Sequence, residues 1–255
     1  MILDKFSLKG KMGLVTGSGT GIGKGIATGL AEAGAKVALA GRTLAKVEQA
    51  AAEMQASGLD VVAFRVDMAD ADSIAELVES LLNKLDRIDF LFNNAGMIHR
   101  APSEEFPIDK WEDMLKTNLT GPFLLSQAVT RHMIARGIKG SIVNTSSLIA
   151  VFGGVNVPAY AATKGGLTQL TKSMCNDLAK YGIRVNAIGP GWVKTGMTQA
   201  LQNDAKRYAT ISSRIPLGRW ATPEDLAGLA VFLASEASAY ISGQVIFIDG
   251  GYLSM

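Results

Sequence analysis

The chain has 255 residues, 48% hydrophobic and 19% charged, a composition that suits a well-packed soluble protein and a length that allows one large domain. Its formal net charge is +2, from 25 lysines and arginines set against 23 acids, and their scatter gives no basic stripe for nucleic acid. No apolar run approaches about 20 residues, so no membrane span is expected; "MILDKFSLKG" lacks the pattern of a secretory signal, and one cysteine, Cys175, cannot close an internal disulfide, so a reducing cytoplasm is expected.

Short β-type runs alternate with helical patterns along the chain. "MGLVTG" leads into a helical pattern over 22–33, "KVALAG" into one over 44–57, and "VVAFRVD" into one over 71–85. "IDFLFNNAG" follows, then helical material over 107–135, "GSIVNTSS", and a helix over 158–180. "IRVNAIGPG", a further helical segment and "QVIFIDGG" complete the series. Seven apolar strands separated by helices predict an α/β fold with a parallel sheet covered on both faces. No linker or repeat interrupts it, so 1–255 reads as a single domain.

Three stretches carry chemistry. "VTGSGTGIGKGIA" joins the first strand to the first helix, with glycines at 17, 19, 21 and 23. There the backbone can turn tightly and meet a pyrophosphate at the helix N-terminus. The second strand ends in Gly41 and Arg42. An acid at that place would hold a ribose 2′-hydroxyl, whereas arginine suits a 2′-phosphate, so NADP is favoured over NAD. Beyond Lys24, the loop offers no second base in support.

The third stretch is "VPAYAATKGGL". Tyr160 and Lys164 stand one helical turn apart on one face. A free phenol has a pKa of about 10 and is a poor base at neutrality, but a cation beside it would lower that value. Ser147, at the end of "SIVNTSS", falls at a carboxyl end of the sheet, where ligands of parallel sheets bind.

Taken in order, Gly17-x-x-x-Gly21-x-Gly23, "NNAG", Asn118 in "TNLTG", Ser147, Tyr160, Lys164 and Pro190-Gly191 resemble the short-chain dehydrogenase/reductase family, and the resemblance covers essentially the whole chain. It implies a Rossmann fold and an NAD(P)-dependent enzyme acting on CH–OH groups, assembled as a homotetramer, with no metal ligand among the site residues. It assigns acid/base work to Tyr160 and a hydrogen bond on the substrate oxygen to Ser147. Lys164 would lower the tyrosine pKa and grip the nicotinamide ribose, and Asn118 would hold a relay water. The cofactor would also meet Ser18, Thr20 and Ile22 of the loop, Asp67 (at the adenine) with Met68, and Asn94, Ala95 and Gly96. Beyond the sixth strand, Val193 and Thr195 join that set.

His99, Arg100 and Trp192 are the expected substrate contacts besides Ser147 and Tyr160, under a lid over about 193–220. Arg100 just past "NNAG", together with "RIPLGRW", resembles the subgroup that oxidises sugar acids, the gluconate 5-dehydrogenases and deoxygluconate dehydrogenases. An arginine at that place would suit a carboxylate, unless it pairs with Glu104 or Glu105. A 3-oxoacyl-thioester reductase of the same family is the alternative. A non-catalytic dinucleotide sensor is a further one, although it would be expected to lose part of the tetrad. Cys175 and His132 read as structural, and Trp111 as a helix anchor.

Overall fold

A computed structural model describes residues 1–255. Strands β1 (Met12–Thr16), β2 (Lys36–Gly41), β3 (Val61–Arg65), β4 (Phe90–Asn93), β5 (Ser141–Thr145), β6 (Arg184–Pro190) and β7 (Val245–Ile248) form one sheet in the order β3-β2-β1-β4-β5-β6-β7. Every neighbouring pair is parallel.

The two-residue period of the strands sorts their side chains between two cores. Val15, Val37, Leu39, Phe90, Phe92 and Val143 face one. Leu14, Ala38, Ala40, Leu91 and Ile142 face the other. Both faces being buried explains why these strands read as near-continuous apolar runs. On the first face lie α1 (Gly21–Glu32) and α2 (Leu44–Ala56). On the second lies α3 (Ala71–Leu85), capped by Asp70, whose side chain accepts from the backbone N–H groups of Asp72 and Ser73.

The stretch read as one helix over 107–135 is three pieces. α4 (Ile108–Leu115) and α5 (Gly121–Ala135) are joined by a π-helical turn over Lys116–Thr120. Pro122 has no N–H to continue the ladder, and the Gly121 N–H reaches back five residues to the Lys116 carbonyl. A β-carbon on Gly121 would lie 2.1 Å from the Met68 carbonyl oxygen, so α5 meets the end of β3 in close contact. This turn buries Asn118 completely.

A short α6 (Ile149–Phe152) precedes α7 (Pro158–Leu178), which begins with Pro158 in its first turn. The chain then forms α8 (Gln199–Asn203) and α9 (Ala205–Ser212), and α10 (Ala227–Ala234) closes the first core. Cys175 is packed: a β-carbon on Gly243 would sit 3.2 Å from its sulfur. Trp111 anchors α4 edge-on to Phe106, 6.5 Å between ring centroids. No helix is long and apolar enough to cross a membrane.

Candidate active site

The strand order reverses between β1 and β4, which opens a crevice at their carboxyl ends. Gly17, at φ +66°, makes the turn out of β1, and a side chain there would strike Ala95 Cα at 2.8 Å. On Gly23 a β-carbon would lie 2.3 Å from the Gly17 carbonyl oxygen, so only glycine lets α1 start this close to the loop. Thr20, the N-cap of α1, makes no side-chain cap bond, leaving first-turn N–H groups for an anion. These features fit a dinucleotide pyrophosphate. The crevice has a volume of about 520 Å³ and is walled by Gly17, Gly19, Thr20, Gly21, Ile22 and Gly23 on one side and by Asn94, Ala95 and Gly96 on the other.

Asn94 ties the two strands together. Its Nδ2 donates to the carbonyls of Thr16 (3.0 Å) and Gly17 (3.3 Å), and Thr16 Oγ1 accepts from the N–H groups of Asn94 and Ala95. Ser18, expected at the cofactor, is instead fully buried. Its hydroxyl donates to the Val15 carbonyl and accepts from the Ala40 N–H, so it fastens β1 to β2. Asp67 and Met68 also lie outside the crevice lining. Asp67 turns its carboxylate back on the Ala69 N–H, and Met68 is 4% exposed in the second core, where α5 crowds it.

Arg42 lines the far end of the crevice, as expected, and Lys46 lines it too. Neither forms an ion pair within the chain. Lys24, the base considered for this end, is paired with Glu53. Sequence reading missed Lys46, which lies in the first turn of α2, just past the loop that carries Arg42.

The four tetrad residues converge where this crevice meets a second cavity. Tyr160 and Thr145 line both. Lys164 is 3% exposed; its Nζ donates to the Thr145 carbonyl at 2.6 Å and lies 5.5 Å from the Tyr160 ring centroid. Burial pushes its pKa down from 10.5 to about 8. Asn118 Oδ1 accepts from the Met97 N–H at 2.8 Å, and its Nδ2 donates to the Met97 carbonyl and to Thr163 Oγ1. A β-carbon on Gly96 would lie 3.4 Å from Asn118 Oδ1 and 3.7 Å from Lys164 Nζ, so the two polar atoms face one small space.

Tyr160 departs from the sequence expectation. Burial raises its pKa, and the opposing influences are a hydrogen bond from Ser147 and the positive charge of Arg100. Lysine was expected to supply that charge. Lys164, with a pKa of about 8, is still mostly protonated at pH 7 and stands 5.5 Å from the Tyr160 ring centroid, and Arg100 adds a second positive charge.

The second cavity, of about 680 Å³, is walled by Ser147, Tyr160, Pro190, Gly191, Trp192, Val193 and Thr195 among others. Arg100 lines it and forms no ion pair with Glu104 or Glu105. His99 does not line it: its ring packs edge-on against Phe106, 5.6 Å between centroids, which turns it aside. The segment over 193–220 carries Thr195 and Met197, which border both cavities, and Arg207 and Arg214, which border the second. It is pinned at its ends by a bridge between Val193 and Ala221.

Comparison with known proteins agrees with this geometry. A family model described as enoyl-(acyl carrier protein) reductase matches residues 17–253. A 2-dehydro-3-deoxy-D-gluconate 5-dehydrogenase of Bacillus subtilis is 45% identical over 253 residues, 98% of each chain. A gluconate 5-dehydrogenase of Gluconobacter oxydans is 41% identical over 97% of this chain and 96% of its own. The crystal structure of a gluconate 5-dehydrogenase from Burkholderia cenocepacia, in complex with NADP and tartrate, superposes with a TM-score of 0.96 at 40% identity, covering 100% of both chains.

Proposed function

We propose a substrate for this chain from one premise: it belongs to the short-chain dehydrogenase/reductase family and is an oxidoreductase acting on CH–OH groups. The substrate is a sugar acid, as its gluconate-type relatives are named for, and the reaction is the interconversion of a secondary alcohol and a ketone on that acid. The observation that carries this reading is the cavity beside Ser147 and Tyr160, whose lining holds arginines, Arg100 among them, and no acidic residue. Full-length relatives acting on gluconates favour it over the thioester reductase.

A nicotinamide dinucleotide, when bound, supplies the acceptor or donor of the hydride. The residues of the chain handle the proton and the oxygen. Ser147 hydrogen-bonds the reacting oxygen and steadies its developing charge. Tyr160 exchanges a proton with that oxygen, and burial suits its neutral phenol to the donor role in the reducing direction. Lys164 spends one N–H on Thr145 and has two left for a ribose and for proton exchange. We assign the space between Lys164 Nζ and Asn118 Oδ1 to a relay water.

The cofactor is NADP(H) in preference to NAD(H), on the strength of Arg42 and Lys46 at the far end of the crevice. Arg42→Ala is expected to cost NADP about 1–3 kcal/mol of binding, roughly 5- to 150-fold, if a charge-assisted contact is lost, and to leave NAD nearly unchanged. Steady-state constants for both cofactors check this. Equal constants in the parent chain, unaltered by the substitution, would overturn it.

Arg100 is proposed as the carboxylate reader. Paired N–H donors would hold a carboxylate in a fork and exclude uncharged analogues. Arg100→Met should therefore cut kcat/KM for gluconate-type acids far more than for a neutral polyol, whose smaller loss reflects the charge Arg100 also lends to Tyr160. Comparing kcat/KM for both substrates in both proteins decides the matter: a parallel fall, or none, rules this role out.

We also propose a cytoplasmic homotetramer. β7 lies at the sheet edge with Val245–Ile248 only partly buried, and Phe123 and Ile134 on α5 are exposed, which leaves apolar surface for partner copies.

A further inference from the structure

The sugar-acid reading requires one anion contact, and Arg100 supplies it. The cavity lining holds three arginines, Arg100, Arg207 and Arg214, and no aspartate or glutamate. The chain as a whole carries 23 acids against 25 bases, so this imbalance is local to the cavity. None of the three guanidinium groups forms an ion pair. Elsewhere in the chain, Arg87 and Arg219 are each fixed to an aspartate. Asp204 lies close to Arg207 in sequence, but its carboxylate accepts from the Arg207 backbone N–H as the cap of α9.

The three arginines come from two separate segments of the chain. Arg100 follows β4 in the chain. Arg207 lies in α9, and Arg214 follows that helix by two residues. Both line the cavity from this one segment.

Arg214 is also positioned. Its guanidinium carbon stands 4.5 Å from the Tyr252 ring centroid. Tyr252 is 4% exposed and packs against Trp192 and Phe152, both lining residues. Trp220 continues the stack to Trp192 and Tyr208, and its Nε1 donates to Ser212 Oγ of α9. An aromatic platform thus holds a guanidinium at the cavity with its N–H donors unclaimed by any carboxylate. Cation–π contact fixes a cation without neutralising it.

We infer that Arg207 and Arg214 form a second anion subsite in the same cavity as Arg100, so that the enzyme favours sugar acids with an acidic group at each end, that is, dicarboxylic hydroxy or keto acids, over those with one. The inference rests on the sugar-acid reading and extends it to the other end of the substrate. Cations from two segments lining one cavity reward a second negative group. A neutral hydroxymethyl end would leave those donors to water.

The test compares three substrates of six carbons: an aldarate, the matching aldonate and the neutral alditol. Each is assayed for kcat/KM with the unmodified enzyme, with Arg214→Gln, Arg207→Gln and the double variant, and with Arg214→Lys. The expected result is an aldarate preference of at least tenfold over the aldonate in the unmodified enzyme. The preference should fall to near unity in the double variant, chiefly through KM, while aldonate turnover stays within about threefold. Arg214→Lys keeps the cation over Tyr252 and should retain much of the preference. Tryptophan fluorescence and thermal melting of each variant report on the aromatic platform, separating loss of the anion contact from loss of the fold. An aldonate used as well as the aldarate by the unmodified enzyme would overturn the second subsite and leave the sugar-acid reading standing. Use of the alditol alone would overturn both. An aldarate preference that survives in a folded double variant would also overturn it.

Discussion

Tyr160→Phe is expected to lower turnover by at least ~10²-fold while the cofactor still binds. The ring is retained, so the wall that Tyr160 contributes to both cavities stays in place. Only the hydroxyl is removed, and with it the one group positioned to exchange a proton beside Ser147. Because burial raises the Tyr160 pKa and Ser147 and Arg100 oppose that rise, the parent enzyme's rate in the oxidising direction should climb with pH as the phenol ionises. The reducing direction, which needs the neutral phenol, should fall over the same range. The Phe variant should lose both dependences. Steady-state rates across pH in both directions, with a fluorescence titration of NADPH, check all of this. Near-normal turnover in the variant would remove the basis of the proton chemistry proposed above.

The sheet was legible because both its faces are buried: each strand is a short, almost unbroken apolar run, and glycine-containing turns mark several of the carboxyl ends. The tetrad was legible for a related reason. In a parallel sheet the end of every strand points to the same crevice, so Ser147 and the start of α7 had to meet there. What remained hidden depends on contacts between segments far apart in the chain. His99 sits in the right loop, but the Phe106 ring turns it away. Ser18 sits in the right loop too, yet two backbone groups of neighbouring strands claim its hydroxyl. The π turn at Lys116–Thr120 follows from one proline and from the approach of Gly121 to Met68, which helical periodicity does not record. The segment over 193–220 is expected over the cavity, but which of its bases face inward follows from its packing on Trp192, Trp220 and Tyr252. The balance at Tyr160 is tertiary as well: the lysine one turn away is legible in sequence, whereas the burial that raises the phenol's pKa and the added charge of Arg100 are not.

Lys164→Met is expected to abolish most turnover and, at pH 7 without cofactor, to make the protein more stable. The side chain is 3% exposed and its pKa is held down from 10.5 to about 8 by burial. The unfolded chain therefore binds a proton more tightly than the folded one. Between pH 8 and 10.5 the unfolded state carries that proton and the folded state sheds it, so stability of the parent rises with pH through this window. Below pH 8 both states are protonated, and the full cost of burying the cation is present, about 3 kcal/mol for a depression of this size. Methionine is similar in length and carries no charge, so it removes that cost. It also forfeits the bond to the Thr145 carbonyl, a loss of about 1–2 kcal/mol. The balance at neutral pH favours the variant by on the order of 1 kcal/mol, a rise in Tm of about 2–4 °C for a chain of this size. Near pH 10 the parent lysine is neutral, only the lost hydrogen bond remains, and the variant should melt below the parent. Scanning calorimetry at pH 7 and pH 10, beside kcat at pH 7, tests the crossing. A variant less stable by the same amount at both values would show that Lys164 is not buried at the cost of its charge. A crossing, with activity lost, would show that the chain gives up stability at this position to keep a titratable amine beside Tyr160.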